Sequence, residues 1–317
     1  MSFAARWQGA LRNARLTAIT KDFPMRFTQP ALSRCAAGLL LSMSFALNAQ
    51  AETALGALEQ TVSAVEAQLS GRVGIVVGQA GQDALWSWRG DERFVMTSTF
   101  KVPLCGAVLT AADQGQLDLA QEIEIKPSDL IPHAPVTEQH LDAPMAIADL
   151  CMATIDMSDN TAANLLIKAL GGPEAVTDVF RSLGDSESRL DRYEPELNLA
   201  AEGDLRDTTT PLAMAHTLET LLIEDFLSAN SRALLGEWMG KGGVTATLLR
   251  DKLPEGWTVY DKSGGGSDSR SLIAVASTAG EAPWVISIYL ADMEHDFATR
   301  NSALQSIAAA VAEVIEN

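Results

Sequence analysis

The pattern of apolar and polar positions predicts a sheet built from both ends of the chain around a helical middle. Residues 52–70 carry apolar side chains at the spacing of a surface helix, and two β-rich runs follow at 72–79 and 84–89. The four residues between those runs are typical of a hairpin turn. Toward the other end, strands are predicted at 257–262, 271–278 and 284–290, followed by an amphipathic helix at 300–315.

The middle of the chain has the periodicity of helices. Its most apolar stretch, residues 96–112, is hydrophobic on almost every side, and such a helix lies inside a domain rather than on its surface. Further helices are predicted at 146–154, 161–170, 174–183, 211–224 and 231–239. A charged loop at 184–210 separates the third of these from the fourth. Ordered loops of this length usually carry function.

Residues 1–51 have the layout of an export signal. From Met25, an alternative start to Met1, two arginines precede the apolar run 36–47, and Ala49-Gln50-Ala51 supplies a small-residue cleavage site. The run is too short to span a membrane. We therefore expect a leader that is removed, and a mature chain that is periplasmic or secreted and has no membrane attachment.

Charge narrows the classes of partner. The whole chain has a net charge of −18, and without residues 1–51 it keeps 17 basic and 40 acidic residues, a net of −23. So acidic a surface argues against nucleic acid or anionic membrane as a partner. We expect a monomer that binds a small molecule. Two cysteines and four scattered histidines do not form a zinc pattern, so no metal and no cofactor is predicted.

The cysteine count predicts a disulfide bond in the mature chain. Cys35 leaves with the predicted leader, so the mature chain keeps Cys105 and Cys151. An even pair of cysteines in an exported protein is typical of a disulfide. The sequence therefore predicts one bridge between the apolar helix at 96–112 and the helix at 146–154.

Ser98 and Lys101 are the first candidates for chemistry. Both fall in the opening turn of the apolar helix, and a spacing of three places them on one face. A lysine drawn toward an apolar interior loses solvation, so its neutral form becomes accessible and can accept a proton from a hydroxyl. The helix N-terminus favours a developing oxyanion beside the serine. Taken alone, the S-x-x-K pattern is more typical of a capped helix with a surface lysine than of a nucleophile.

Three further stretches add polar groups in a defined order. Ser158-Asp159-Asn160 precedes a predicted helix, and its polar side chains can cap that helix or point into a cleft. Lys262-Ser263-Gly264 ends a strand and runs into Gly265-Gly266, where a lysine and a hydroxyl could bind a carboxylate. The segment 194–198, Glu-Pro-Glu-Leu-Asn, lies in the long loop. Taken alone, the first stretch also fits a plain helix cap, the second a hairpin turn and the third a solvated acidic loop.

Together these stretches resemble one enzyme family, the class A serine β-lactamases, close to the TEM-type penicillinases. S-x-x-K, S-D-N and K-T-G are the signature of that family, and here Ser263 replaces the threonine of the third motif. The resemblance covers residues 52–317. It rests on STFKVPLCGAVL at 98–109, MSDNTAANLL at 157–166, DRYEPELN at 191–198, RDTTTP at 206–211 and DKSGGG at 261–266.

The resemblance implies a fold of the α/β (α+β) class, the β-lactamase/transpeptidase type. In it, a five-stranded antiparallel sheet with the terminal helices packs on an all-helical domain. The expected boundaries are a discontinuous α/β domain at 52–93 and 246–317, and an all-α domain at 94–245. The site is expected between the two domains, around the N-terminus of the Ser98 helix.

The resemblance also implies catalytic roles. Ser98 is expected as the nucleophile that becomes acylated, with Lys101 against both Ser98 and Glu194. Whether the lysine or the glutamate is the acylating base is disputed in this family. Ser158 is expected to protonate the departing lactam nitrogen, with Lys262 beside it. Glu194 is expected to activate the water that hydrolyses the acyl-enzyme.

Binding and structural roles follow from the same resemblance. The N–H groups of Ser98 and Gly265 are expected to bind the oxyanion, and Arg192 and Asp207 to form an ion pair that closes the long loop. The Glu194–Pro195 bond is expected to be cis, and His133 falls at the rim of the cleft. Arg270 follows a segment one residue shorter than in TEM-type members, which leaves its position open. The residues expected to bind substrate are Asn160, Asn198, Lys262, Ser263, Gly264, Gly265 and Arg270.

The implied activity is hydrolysis of penicillins, and of some cephalosporins, which confers β-lactam resistance. Two alternatives share much of the site. A penicillin-binding DD-peptidase, which acts on peptidoglycan, would lack the deacylating pair in the long loop. It would share Ser98, Lys101, Ser158 and Lys262. A β-lactam sensor would stay acylated and would need a membrane segment to pass on its signal.

Overall fold

The computed structural model describes residues 33–199 and 203–317, with side chains from residue 50 onward. The predicted leader lies largely outside this description, and its cleavage stays a prediction. The helices are α1 (Ser33–Leu69), α2 (Lys101–Asp113), α3 (Ile147–Asp156), α4 (Asn160–Ala169), α5 (Pro173–Ser182), α6 (Pro211–Leu222), α7 (Ala229–Gly240) and α8 (Phe297–Ile315). Within the described residues, no helix combines the length and the apolar character needed to cross a membrane.

Five strands form the main sheet, and two short pairs lie outside it. The strands are β1 (Arg72–Gln79), β2 (Trp86–Trp88), β3 (Phe94–Val95), β4 (Glu122–Glu124), β5 (Pro144–Ala146), β6 (Thr208–Thr209), β7 (Thr258–Gly265), β8 (Arg270–Ser277) and β9 (Trp284–Ala291). The sheet has the order β2-β1-β9-β8-β7, with every pair antiparallel. The predicted five-stranded antiparallel sheet made from both chain ends is therefore confirmed.

The sheet separates two hydrophobic cores, and β1 shows how. Val73, Ile75 and Val77 belong to the core shared with α1 and α8, whereas Val76 belongs to the core of the helical part. Successive side chains of a strand point to opposite faces, so one apolar run serves both layers. Burial on both faces explains why β1 is almost continuously apolar instead of alternating.

Several element bounds differ from the prediction. Helix α1 begins at Ser33 rather than at residue 52, because the apolar run before residue 52 continues in helical conformation. Strand β7 continues to Gly265, so the glycines of the third motif belong to the strand and not to a turn after it. The pair β3–β6 was not predicted, and it joins the segment before Ser98 to the end of the long loop.

The predicted disulfide is not formed in this structure, where Cys105 and Cys151 are free thiols within the described part of the chain. Both are fully buried between α2 and α3, and the Sγ of Cys105 lies 3.8 Å from the carbonyl oxygen of Cys151. Burial raises the pKa of the Cys151 thiol well above its usual range, which disfavours the thiolate that oxidation requires. The two sulfurs therefore act as small apolar groups that pack the helices together.

Candidate active site

Ser98 lies in a tight 3₁₀ turn, Thr97–Phe100, that runs directly into α2. Thr97 has a φ of +46°, a left-handed conformation that is rare for a β-branched residue. Ser98 itself is half-buried, whereas Lys101 at the start of α2 is fully buried. The predicted helix at 96–112 thus begins with a strained turn, which presents the serine beside the helix N-terminus.

The ammonium group of Lys101 is held by three residues. Its Nζ donates to the carbonyl oxygen of Ser158 at 2.8 Å and to the Oδ1 of Asn160 at 2.6 Å. It also lies 3.5 Å from the Oε1 of Glu194. Burial lowers the pKa of Lys101, and the nearby Glu194 carboxylate offsets only part of that effect. The predicted contact between Lys101 and Glu194 is present.

The hydroxyl of Ser158 lies between two lysines. The Nζ of Lys262 is 3.1 Å from the Ser158 Oγ, and the Nζ of Lys101 is 3.3 Å from it. Burial lowers the pKa of Lys262 well below its usual range, and the positive charge of Lys101 adds to this lowering. Two buried amines of depressed pKa therefore contact one hydroxyl, which suits a proton relay.

Asp159 explains why both its neighbours reach the cleft. Its Oδ1 accepts the Ala162 N–H at 2.9 Å and so caps α4. Its Oδ2 accepts the N–H groups of Val136 and Thr137 at 3.0 and 2.9 Å. The helix cap is therefore the aspartate, which leaves the side chains of Ser158 and Asn160 directed into the cleft, with Ser158 at a φ of +58°.

The long loop places Glu194 and Asn198 opposite the lysines. The Glu194–Pro195 bond is cis, as predicted. Asn164 accepts the Glu194 N–H and donates to the Glu194 carbonyl oxygen, both at 2.9 Å, and so fixes this backbone. Asn198 Nδ2 donates to the Glu194 Oε2 at 2.5 Å. Among the described residues, Glu194 Oε1 and Asn198 Oδ1 are buried oxygens that receive no hydrogen bond.

The neck of the long loop is closed by the predicted ion pair. Arg192 Nε donates to the Asp207 Oδ2 at 2.5 Å, and the Asp207 side chain is fully buried. Its Oδ1 also accepts the N–H groups of Asp191 and Arg192 at 2.7 and 3.0 Å. One carboxylate therefore satisfies three donors and joins the two ends of the loop.

Arg270 reaches the cleft despite the shortened segment before it. In the β7–β8 ladder it pairs with Gly265, and its Nη1 donates to the carbonyl oxygen of Gly264 at 2.6 Å. Its Nε and Nη2 donate to the Oδ1 of Asn301 at 3.1 and 3.0 Å. Burial, together with the nearby Arg300, lowers the pKa of Arg270 to about 10.

A cleft of about 340 Å³ lies at Ser98, between the end of β7 and the helical part. It is lined by Ser98, His133, Ser158, Asn160, Glu194, Asn198, Val244, Ser263, Gly264, Gly265, Arg270 and Phe297. A larger cavity of about 650 Å³ is lined by other residues, among them Arg72, Asp204 and Ser269, and by none of Ser98, Ser158 and Glu194. No cluster of metal-ligating side chains occurs within residues 50–199 and 203–317.

Three side chains that support this cleft were missed in the sequence. Asn164 and Asn301 hold Glu194 and Arg270. Asn164 was detectable as a polar residue within an apolar helical run, whereas Asn301 lies in a polar first part of its helix and has no such signal. Phe297 is 55% exposed at the rim, with the Arg270 guanidinium 5.0 Å from its ring centroid. No local pattern distinguishes Phe297 from an ordinary first residue of a helix.

Comparisons with known proteins agree with this geometry. The model of the β-lactamase enzyme family matches residues 57–315. A β-lactamase of Rhodobacter capsulatus is 50% identical over 291 residues, which cover 92% of this chain and 99% of the relative. β-Lactamase CARB-4 of Pseudomonas aeruginosa is 44% identical over 277 residues, which cover 87% of this chain and 95% of the relative.

Solved structures give the same family. A β-lactamase from Xanthomonas campestris has a TM-score of 0.78 at 41% identity, and covers 81% of this chain and 97% of its own. An ancestral class A β-lactamase has a TM-score of 0.77 at 45% identity, and the match covers 81% of this chain and 99% of the ancestral one. The chain therefore belongs to the β-lactamase enzyme family, as a class A serine enzyme that hydrolyses β-lactams.

Proposed function

We propose that the protein hydrolyses penicillins, and some cephalosporins, through an ester on Ser98, and so confers β-lactam resistance. The observation that carries this proposal is the hydrogen-bonded pair formed by the buried Glu194 and the half-buried Asn198 in the cleft of Ser98. Each member has a buried oxygen that receives no hydrogen bond among the described residues, with the Lys101 Nζ 3.5 Å from the Glu194 Oε1, and buried oxygens of this kind can hold a water. A site that only acylates has no use for such a pair.

Acylation forms one bond and breaks another. The Oγ of Ser98 attacks the lactam carbonyl carbon, and its proton passes to Lys101, or through water to Glu194. The tetrahedral oxyanion is stabilised by the N–H groups of Ser98 and Gly265. The C–N bond then breaks, and Ser158 gives its proton to the nitrogen. Lys262 and Lys101 contact the Ser158 hydroxyl and can restore that proton.

Deacylation uses the opposite wall of the cleft. Glu194 accepts a proton from a water as the water oxygen attacks the ester carbon, and Asn198 orients that water. The ester C–O bond then breaks, and the Ser98 Oγ recovers a proton. General-base assistance of this kind contributes typically about 10²–10⁴-fold, which separates turnover from a stalled adduct.

Substrate is held by groups on both walls. Ser263 and Arg270 line the cleft at the end of β7 and the start of β8, and the buried Lys262 precedes Ser263 on β7, so we assign these three side chains to the carboxylate of a β-lactam. Asn160, on the other wall, can bind the side-chain amide. No cofactor or metal is required by these steps. We further infer that the protein works as an exported, periplasmic or secreted monomer, which its leader pattern and acidic surface support.

The function is tested by turnover. Purified protein should hydrolyse many equivalents of benzylpenicillin, measured as loss of lactam absorbance. Ser98→Ala should lose both hydrolysis and the covalent adduct. A DD-peptidase or a sensor would instead retain one penicilloyl group per chain and stop, so an unmutated protein that stalls after one equivalent would contradict the proposal.

We predict a pH dependence of acylation from the Lys101 environment. Lysine acts as a base only above its pKa, and burial lowers the pKa of Lys101 while Glu194 partly raises it. In Glu194→Gln the raising contribution is lost, so the pKa of Lys101 falls further. The rate of penicillin acylation by Glu194→Gln should therefore rise with pH, and this rising limb of the pH profile should lie at lower pH than in the unmutated protein. Stopped-flow acylation between pH 5 and 9 measures this, and a limb unmoved by the substitution would exclude Lys101 as the base.

A further inference from the structure

The glycine at position 264 leaves a gap that two hydroxyl groups fill. A Cβ placed on Gly264 would lie 2.0 Å from the Thr97 Oγ1, 2.6 Å from the Ser271 Oγ and 2.9 Å from the Ser98 backbone nitrogen. Ser271 is the partner of Gly264 in the β7–β8 ladder. Because Gly264 has no side chain, the Ser271 hydroxyl can contact the Thr97 hydroxyl next to the backbone N–H of Ser98.

The direction of the hydrogen bond between these hydroxyls follows from their proton count. Thr97 Oγ1 lies 2.7 Å from the Met96 carbonyl oxygen and 3.1 Å from the Ser271 Oγ. A threonine hydroxyl has one proton, and a carbonyl oxygen can only accept, so Thr97 donates to Met96. Ser271 is then the donor to Thr97. Both side chains are almost completely buried, so water does not compete for these bonds.

This chain of bonds holds a strained residue next to the oxyanion site. Thr97 has its φ at +46°, a conformation that persists only when surrounding contacts enforce it. Ser98, which follows Thr97, supplies one oxyanion-binding N–H under the proposed function, and Gly265, which follows Gly264, supplies the other. The first belongs to the turn before α2 and the second to β7, so their spacing depends on how that turn is attached to the sheet.

We propose that Ser271, acting through Thr97, is a positioning residue that fixes the spacing of the two oxyanion-binding N–H groups. This inference rests on the proposed function. The Ser271 hydroxyl contacts no substrate atom. It orients the peptide group before Ser98 against Gly264, so its loss should weaken binding of the tetrahedral state more than binding of intact substrate.

The other side of Ser98 offers a matched control. Thr99 Oγ1 lies 2.6 Å from the Met96 carbonyl oxygen and 2.9 Å from the buried Tyr289 hydroxyl. This pair repeats the arrangement of Thr97 and Ser271 on the same turn. Tyr289 lies on β9 and pairs with Ser271 in the β8–β9 ladder, but its hydroxyl contacts Thr99 rather than Thr97. Tyr289→Phe therefore removes an equally buried hydroxyl without touching the Gly264–Gly265 side of the oxyanion site.

The test compares Ser271→Ala and Tyr289→Phe with phenylboronic acid, which forms a tetrahedral adduct on a serine hydroxyl. Ser271→Ala should weaken the inhibition constant about tenfold and slow acylation by benzylpenicillin by a similar factor, with little change in the KM of a slow substrate. Thr97→Val, which lacks the hydroxyl, should match Ser271→Ala, and the double variant should be no worse than either single one. Thr97→Ser, which keeps the hydroxyl, should restore binding.

Melting temperatures separate positioning from stability. Tyr289→Phe should lower the melting temperature while leaving phenylboronic acid binding within about twofold of the unmutated protein. Equal effects of Ser271→Ala and Tyr289→Phe on that binding would overturn the inference, as would additive effects of Thr97→Val and Ser271→Ala. If Ser271→Ala does not fold, Thr97→Val against Thr97→Ser provides the same comparison. Benzylpenicillin turnover by the unmutated protein tests the proposed function independently, because adduct formation with the boronic acid requires no deacylation.

Discussion

In Glu194→Ala, one equivalent of penicillin should be consumed in a burst, after which the enzyme stalls as a covalent adduct. Ser98, Lys101 and Ser158 remain in place, so the ester still forms. Deacylation loses its general base, and the expected slowing is roughly 10²–10⁴-fold. The adduct should then be visible by mass spectrometry of the intact protein, as one penicilloyl group per chain.

Two further variants make this result specific. Glu194→Gln keeps the volume of the side chain and an oxygen that can accept from Asn198, but it cannot take a proton from water, so it should stall in the same way. Ser98→Ala should show neither burst nor adduct. If Glu194→Gln turned over penicillin at the unmutated rate, the water-activating role would have to be assigned elsewhere.

Asp207→Ala should destabilise the protein strongly. It removes a fully buried carboxylate that satisfies the Arg192 guanidinium and two backbone N–H groups, and it leaves these donors unpaired. Breaking a buried ion pair from one side costs on the order of 3–5 kcal/mol. For a chain of this size that corresponds to a fall of roughly 6–12 °C or more in melting temperature.

The same substitution should affect the two chemical steps unequally. The loop that Asp207 closes carries Glu194 and Asn198, so deacylation should slow more than acylation. Asp207→Asn is the matched control, because asparagine tolerates the φ of +57° at this position and keeps one acceptor oxygen while losing the charge. An unchanged melting temperature together with unchanged deacylation in Asp207→Ala would refute the role of the ion pair in closing the loop.

Elements and motifs with local causes were predictable. The hairpin of β1 and β2, the buried helix that follows Ser98 and the interrupted run of helices each follow from periodicity and turn residues within a few positions. The spacing of three between Ser98 and Lys101 is likewise local. The order of the motifs then predicted the family, because few chains carry all of these residue types in that sequence.

What could not be predicted depends on contacts between distant parts of the chain. Lys262 and Ser158 are separated by 104 positions, and only the packing of the sheet edge on the helices brings the amine within 3.1 Å of the hydroxyl. The same packing decided that Arg270 reaches the cleft although the segment before it is short. It also decided that the two cysteines lie buried side by side as free thiols between two helices.

The sequence by itself determined which chemical groups are available and their order: a serine and a lysine one helical turn apart, a second serine, a loop glutamate and a second lysine. Tertiary structure alone decided the orientation of these groups and the direction in which the lysine pKa values shift. Desolvation lowers the pKa values of both lysines, and Asp159, Asn164 and the Thr97–Ser271 pair set the backbone that carries the reacting groups. The physical reason is that burial and hydrogen-bond geometry belong to the space between elements, which no local pattern of residues encodes.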